Sequence, residues 1–228
     1  MNTRPLSITC FQRALLGLGS AAGSLLNPER GDLVATFSEV AMPGPSLTHM
    51  RNLMRRDSVG RIILEQRRAV TDADLIRWES SSPAGRDPTT MPGAYVAYMR
   101  GNGFLPSGRS PVRFLEDPEQ AYVMQRYREC HDFMHCLLGL GRTEPEEMLL
   151  KVIEFYHTQL PMASVAVVGQ IARDVAQSGG FRGSASWNAL PWALQVATSL
   201  KVFYLNVDWE GNMDRGRPLE ELRAEMGL

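Results

Sequence analysis

The chain has 228 residues, 44% of them apolar and 21% charged, with a formal charge of −1. That is enough apolar material for a core in one domain or two small ones, and too little net charge to recruit nucleic acid or an anionic membrane. Three cysteines, Cys10, Cys130 and Cys136, argue against a disulfide framework and for a reducing compartment.

Residues 1–26 contain Arg4 and Arg13, several hydroxyls and no acid. This is the composition of a mitochondrial targeting segment. A first amphipathic helix of the domain is preferred, because the run Gln12 to Leu26 leads into a helix end at Asn27-Pro28. Residues 1–12 then form a short targeting or disordered tail. The periodicity predicts helices at 10–26, 29–41, 46–57, 59–69, 90–101, 117–140, 144–158, 161–177, 187–206 and 217–226. Pro43-Gly44-Pro45, Gly101-Asn102-Gly103, Gly139-Leu140-Gly141 and Ser178-Gly179-Gly180 separate them. Segment 80–93 is polar and rich in Pro and Gly, and reads as a long exposed loop or hinge. Segment 202–207, VFYLNV, has strand composition but continues a helical run. The expected architecture is all-α: one irregular helical bundle over residues 1–228.

No apolar run reaches the roughly 20 residues that a spanning helix needs. Segments 160–177 and 187–206 are core helices by pattern. Met162, Trp187 and Trp192 would suit a membrane surface if they were exposed.

Segment 116–162 carries the chemistry. Asp117-Pro118-Glu119 is a helix start. Val123, Tyr127, Cys130, Met134 and Leu137 form one apolar stripe. His131 and His135 are one turn apart on its flank, with Asp132 further round. Gly139 and Gly141 end this helix, and Thr143 caps the next, with Pro145 and Glu146 in its first turn. So short a connection makes the two helices antiparallel neighbours, which would face Glu147 toward His135. Two imidazoles and two carboxylates would offset a divalent charge. The same residues have plainer readings. A His pair at this spacing is common in helices, and Glu144, Glu146 and Glu147 suit any helix start.

Other side chains nearby divide the same way. Arg128, one turn before Asp132, is either a clamp for a substrate anion or an ion-pair partner of Asp132. Lys151 and Glu154 read as a solvated ladder, with support of the metal site as the alternative. His157 reads as a polar-face residue. Cys130 and Cys136 read as small buried side chains.

HDFMH, eleven residues and then Glu147 resembles the H-D-x-x-H-x(11)-E motif of the ubiquinone biosynthesis protein 4 family. NPERGDLVA (27–35), AYVMQRYRECHD (121–132), LPM (160–162), PWALQ (191–195), WE (209–210) and the final LRAEMGL also resemble family segments. FSEVAM (37–42) and the 80–93 segment depart from it. The resemblance implies one divalent ion on His131, Asp132, His135 and Glu147. Zinc is the default for that donor set, with iron, manganese and cobalt also compatible. It implies an apolar lipid cavity beside the site and a polyprenylated benzoate as substrate. The implied reaction removes the ring carboxylate with hydroxylation of the same carbon, as in a decarboxylase of the 4-hydroxy-3-methoxy-5-polyprenylbenzoate type. His131, Asp132 and Arg128 would act on the substrate. The implied setting is peripheral, on the matrix side of the mitochondrial inner membrane. The expected partners there are the other ubiquinone-biosynthesis enzymes and a second copy of the chain. Two alternatives stand beside it. One is a non-catalytic lipid-binding scaffold with a structural metal. The other is a His-Asp phosphohydrolase, which would need His49 and His157 as further ligands.

Overall fold

The computed structural model describes residues 5–27, 30–41, 44–81 and 83–228. Among them are twelve α-helices and no strand; an isolated bridge pairs Thr90 with Pro218. The fold is all-α. The chain divides into two compact units, one of Met1–Asn52, Ser110–Met124 and Gly141–Thr198, the other of Leu53–Arg109, Gln125–Leu140 and Ser199–Leu228.

The first unit begins with α1 (Cys10–Leu26) and α2 (Gly31–Val40). Thr9 caps α1 in a reciprocal box with Gln12, satisfying two backbone N–H groups that a helix start leaves open. Leu6 N–H donates to the Arg113 carbonyl at 2.7 Å, just ahead of that cap. Pro28 and Pro43, two expected breakers, lie outside the described residues. Glu39 is buried on α2, and its Oε2 accepts N–H groups from Arg113 and Phe114 at 2.7 and 2.8 Å. Arg13 donates to the Glu39 and Phe114 carbonyls at 3.2 Å. A buried carboxylate and a loop backbone thus satisfy each other, as burial requires.

Three further helices complete this unit: α8 (Glu144–Thr158), α9 (Pro161–Gln177) and α10 (Ala185–Ser199). The face of α8 formed by Met148, Leu149, Leu150, Val152 and Ile153 is buried, and α8 packs on α9. Met162 is also buried, so it is not available at a surface, whereas Trp187, Trp192, Val168 and Phe181 are exposed. The helix expected over 187–206 stops at Ser199, and only a 3-10 turn at Tyr204–Asn206 follows.

The second unit contains α4 (Ser58–Gln66), α5 (Asp72–Ser80), α6 (Met91–Gly101), α11 (Trp209–Asp214) and α12 (Leu219–Met226). Into it runs the second half of α7 (Pro118–Leu138), and α3 (Gly44–Arg56) likewise passes from the first unit to the second. Trp78, Tyr95, Phe133 and Trp209 form a buried aromatic chain with centroid spacings of 5.7, 4.9 and 5.3 Å. Arg126 and Glu210 form an ion pair within this core, and Arg126 also donates to the Val207 carbonyl at 2.7 Å. Segment 80–93 is not a free loop. Ala84–Arg86 form a 3-10 turn, and Thr90 Oγ donates to the Ala84 carbonyl at 2.6 Å before capping α6. A Cβ on Gly93 would stand 1.9 Å from the Asp87 carbonyl oxygen, so only glycine lets the backbone close here.

Candidate metal centre

Helix α7 presents the stripe that its sequence predicts: Val123, Tyr127, Cys130, Met134 and Leu137 are all buried. Packing of this stripe fixes the rotation of the helix, and with it the direction of the histidine face. His135 is fully buried and His131 half-buried. Their Nε2 atoms are 3.2 Å apart, with the rings edge-on at a centroid distance of 4.6 Å.

The end of α7 sets the state of His135. Gly139 takes φ +68, a conformation that favours glycine, and Leu140 N–H returns to the His135 carbonyl at 3.0 Å. That turn brings the Leu140 carbonyl to 3.2 Å from His135 Nδ1. A carbonyl only accepts, so Nδ1 carries the hydrogen and the neutral ring keeps its lone pair on Nε2. Tyr98 stacks on the same ring at 5.2 Å.

Two ring nitrogens at 3.2 Å are compatible when one donates a hydrogen to the other, or when both face one cation. Nitrogens bound at about 2.05 Å to one tetrahedral zinc lie about 3.3 Å apart. The pair, with one tautomer fixed by a backbone carbonyl, therefore fits a divalent metal, as ligating histidines commonly use their second nitrogen this way.

Asp132 is turned to a residue that sequence reading missed. Arg109 donates to its Oδ2 from Nε at 3.0 Å and from Nη2 at 2.6 Å. The i,i+4 pair expected between Arg128 and Asp132 does not form, because Arg109 already holds that oxygen from 23 residues away. Arg128 itself is half-buried on α7. No sequence signal pointed to Arg109, which follows a 3-10 turn at Pro106–Gly108 rather than lying on a periodic helix.

On α8 the three acids separate. Glu146 belongs to the Thr143 capping box, and Glu144 pairs with Arg173 at 3.0 Å. Glu147 is half-buried, and Arg142 lies 3.9 Å away. Glu146 is thus committed to the cap and Glu144 to an ion pair. The solvated ladder is not found: Glu154 is fully buried and holds Lys151 Nζ at 2.6 Å, so tertiary burial overrides the polar pattern.

His157 is not on an open polar face. Its Nε2 donates to the Ala197 carbonyl at 2.9 Å, and burial pulls its pKa below 6.5. His49 Nε2 donates to the His157 carbonyl at 3.2 Å. Both Nε2 atoms therefore carry hydrogens, which leaves Nδ1 as the acceptor nitrogen of each ring, and among the described residues neither histidine joins a metal-capable cluster. Cys130 and Cys136 are buried, and burial pushes the Cys130 thiol up to about 12, so it is no thiolate nucleophile. Within the second unit a hollow of about 760 Å³ is lined by charged Glu79, Arg86 and Arg100 together with apolar Val96 and Ala97.

A family model described as coenzyme Q (ubiquinone) biosynthesis protein Coq4 matches residues 3–228. The chain belongs to the Coq4 family. That places its role in ubiquinone biosynthesis. The ubiquinone biosynthesis protein COQ4, mitochondrial, of Blastomyces gilchristii is 38% identical over 98% of this chain and 75% of its own length. The COQ4 homolog of Trypanosoma brucei brucei, also named mitochondrial, is 38% identical over 92% of this chain and 82% of its own. A crystal structure of a putative ubiquinone biosynthesis protein from Nostoc punctiforme superposes with a TM-score of 0.69 at 14% identity. It covers 92% of this chain and 96% of that one, and it supports the fold. Among the described residues of this Coq4 chain, no helix is long and apolar enough to cross a membrane.

Proposed function

We propose that this Coq4 chain removes the ring carboxylate of a polyprenylated hydroxy-methoxybenzoate and hydroxylates the same carbon, using one divalent ion on His131, Asp132, His135 and Glu147. The observation that carries the metal reading is the 3.2 Å approach of two imidazoles, one with its tautomer set by the Leu140 carbonyl. The five-residue connection between α7 and α8 supports Glu147 as a ligand, because it keeps the next helix start close to the histidines in the chain.

In the reaction the ring carbon–carboxylate bond breaks and carbon dioxide leaves, water supplies the oxygen of the new carbon–oxygen bond and loses a proton, and two electrons pass to an external acceptor. A bound divalent ion would supply Lewis-acid binding of the carboxylate or phenolate. Zinc has no redox chemistry of its own. Iron, manganese or cobalt would suit the same donors. His135, buried and fixed at Nδ1, keeps its donor atom aimed at the site. Arg128 holds the substrate carboxylate in register. A water-excluding apolar cavity beside these residues would strengthen that attraction and accept the prenyl tail. The chain works as a peripheral protein on the matrix face of the mitochondrial inner membrane, self-associated and beside other enzymes of the pathway. Exposed Trp187, Trp192, Val168 and Phe181 support such a surface.

Cells lacking the protein are given a precursor already hydroxylated where the carboxylate would have been. Quinone synthesis resumes if the missing step is chemical. Synthesis that stays blocked, with the other enzymes present and folded, selects the scaffold role and overturns the decarboxylase reading. Separately, His131→Ala and Glu147→Ala each strip metal from the purified protein by elemental analysis; stoichiometric retention in both removes the metal assignment.

A further inference from the structure

The Arg109–Asp132 contact has more built into it than an ion pair between surface residues. Both N–H groups on one edge of the guanidinium converge on a single oxygen, Asp132 Oδ2, at 3.0 and 2.6 Å. The second hydrogen of Nη2 goes to the Tyr95 hydroxyl at 2.9 Å. Tyr95 is fully buried between Trp78 and Phe133, so it cannot follow the arginine if that side chain moves. The Arg109 and Asp132 side chains are only 12% and 15% exposed, which limits competition from water.

The backbone that delivers Arg109 is pinned as well. Ser107 donates its N–H and its hydroxyl to the two oxygens of Asp72, at 2.9 and 2.7 Å. Arg109 Nη1 is buried and has no hydrogen-bond partner among the described residues. The side chain is therefore held in an alignment that serves Asp132 while leaving its own third nitrogen unsatisfied. Such an exception to polar satisfaction calls for a cause, and alignment of the carboxylate next to His131 supplies one. Both Arg109 bonds fall on Asp132 Oδ2, so Oδ1 remains as the oxygen that faces no guanidinium N–H.

We propose that Arg109 is a positioning residue for the metal centre, acting through Asp132 and braced by Tyr95. This rests on the metal reading above. By occupying Oδ2, Arg109 limits Asp132 to one donor oxygen and fixes the rotation of its carboxylate. Asp132 would then offer a bound cation Oδ1 alone. Hydrogen-bonded partners that orient metal-binding carboxylates act in this manner.

The test measures metal rather than turnover. Apo protein is titrated with zinc alone against a chromophoric chelator, and the cobalt-loaded protein is read by its visible absorption. Arg109→Met weakens zinc binding about 10- to 100-fold and changes the cobalt spectrum. Tyr95→Phe shifts both in the same direction by less, and Arg109→Lys, which keeps charge but not the paired N–H groups, falls between wild type and Arg109→Met. Because Arg109 acts only through Asp132, the double variant Arg109→Met/Asp132→Ala binds zinc as weakly as Asp132→Ala alone. Additive losses overturn the proposal, as does an Arg109→Met protein with wild-type affinity and spectrum. If Arg109→Met does not fold, unchanged affinity and spectrum in Tyr95→Phe overturn it. Failure here with metal still lost in His131→Ala leaves the metal reading standing. A wild-type protein that takes up neither zinc nor cobalt removes both.

Discussion

The two units differ most in where their large aromatic residues lie. In the second, four large aromatics are buried together, and charge is brought inside as the Arg126–Glu210 and Arg109–Asp132 pairs. In the first, α1 leaves Phe11, Leu15 and Leu18 outside, and Trp187, Trp192, Val168 and Phe181 are exposed as well. Hydrophobic burial is non-directional, whereas a buried ion pair is stable only in one geometry. The unit that carries His131 and His135 thus buries its large aromatics, while charge is enclosed in both units, at Glu39 and Glu154 in the first. The other keeps more of its large apolar residues at the surface.

The sharpest way to break this contrast is to unbalance the buried pair. Arg126→Ala leaves Glu210 buried without its cation and lowers unfolding stability by about 3–5 kcal/mol in chemical denaturation. A loss below about 1 kcal/mol would mean that the pair does not organise the core.

In the first unit the corresponding change should barely touch stability. Trp187→Ser with Trp192→Ser alters it by about 0.5 kcal/mol or less. Partition onto vesicles nevertheless falls on the order of tenfold in a flotation assay, since about 1.4 kcal/mol of apolar contact is lost. Unchanged flotation, or a large destabilisation, removes the membrane-surface reading of these residues.

Capping gives a smaller effect that sharpens the comparison. Thr71 begins α5 in the second unit and Thr143 begins α8 in the first, each in a reciprocal box with an acid three residues on. Either Thr→Ala change costs about 1 kcal/mol, measured by denaturation, because local capping depends little on the surrounding unit.

Acid distinguishes the units by where it acts rather than by how much. Burial lowers the His157 pKa, so the folded state favours the neutral ring. Its contribution is present above the ordinary value of 6.5 and is lost as pH falls through the lowered one. Asp214 in the second unit is pushed up by burial, but the Trp78 and Arg77 N–H groups outweigh this and hold it below 3.8. That contribution is present above 3.8 and disappears only under stronger acid. Denaturation midpoints measured against pH should lose their slope below 6.5 in His157→Gln and their slope below 3.8 in Asp214→Asn. A slope near neutral pH that persists in His157→Gln would locate the titrating group elsewhere.

Most helices were legible because their signals are local. The apolar stripe of α7, the cap at Thr143 and the break at Gly139 each lie within a few residues of what they control. Helix α5 was missed although Thr71 and Asp74 spell the same box, because its nine residues carry too few apolar positions to register as a period. The run to residue 206 misled for the opposite reason. VFYLNV is apolar enough to continue a helix, but Lys201 N–H bonds the Met226 carbonyl and Trp209 Nε1 bonds the Tyr204 carbonyl, so other parts of the chain claim that backbone.

The sequence by itself determined the helical class, the helix face shared by His131 and His135, and the turn that follows them. Those depend on spacings of three and four residues and on glycine's freedom at positive φ. Tertiary structure decided which partner each charge would take. Arg109 holds Asp132 in place of nearby Arg128, and Glu154 is enclosed with Lys151 instead of facing water. An ion pair is selected by distance and desolvation in the folded molecule, and neither quantity is written in the order of residues along the chain.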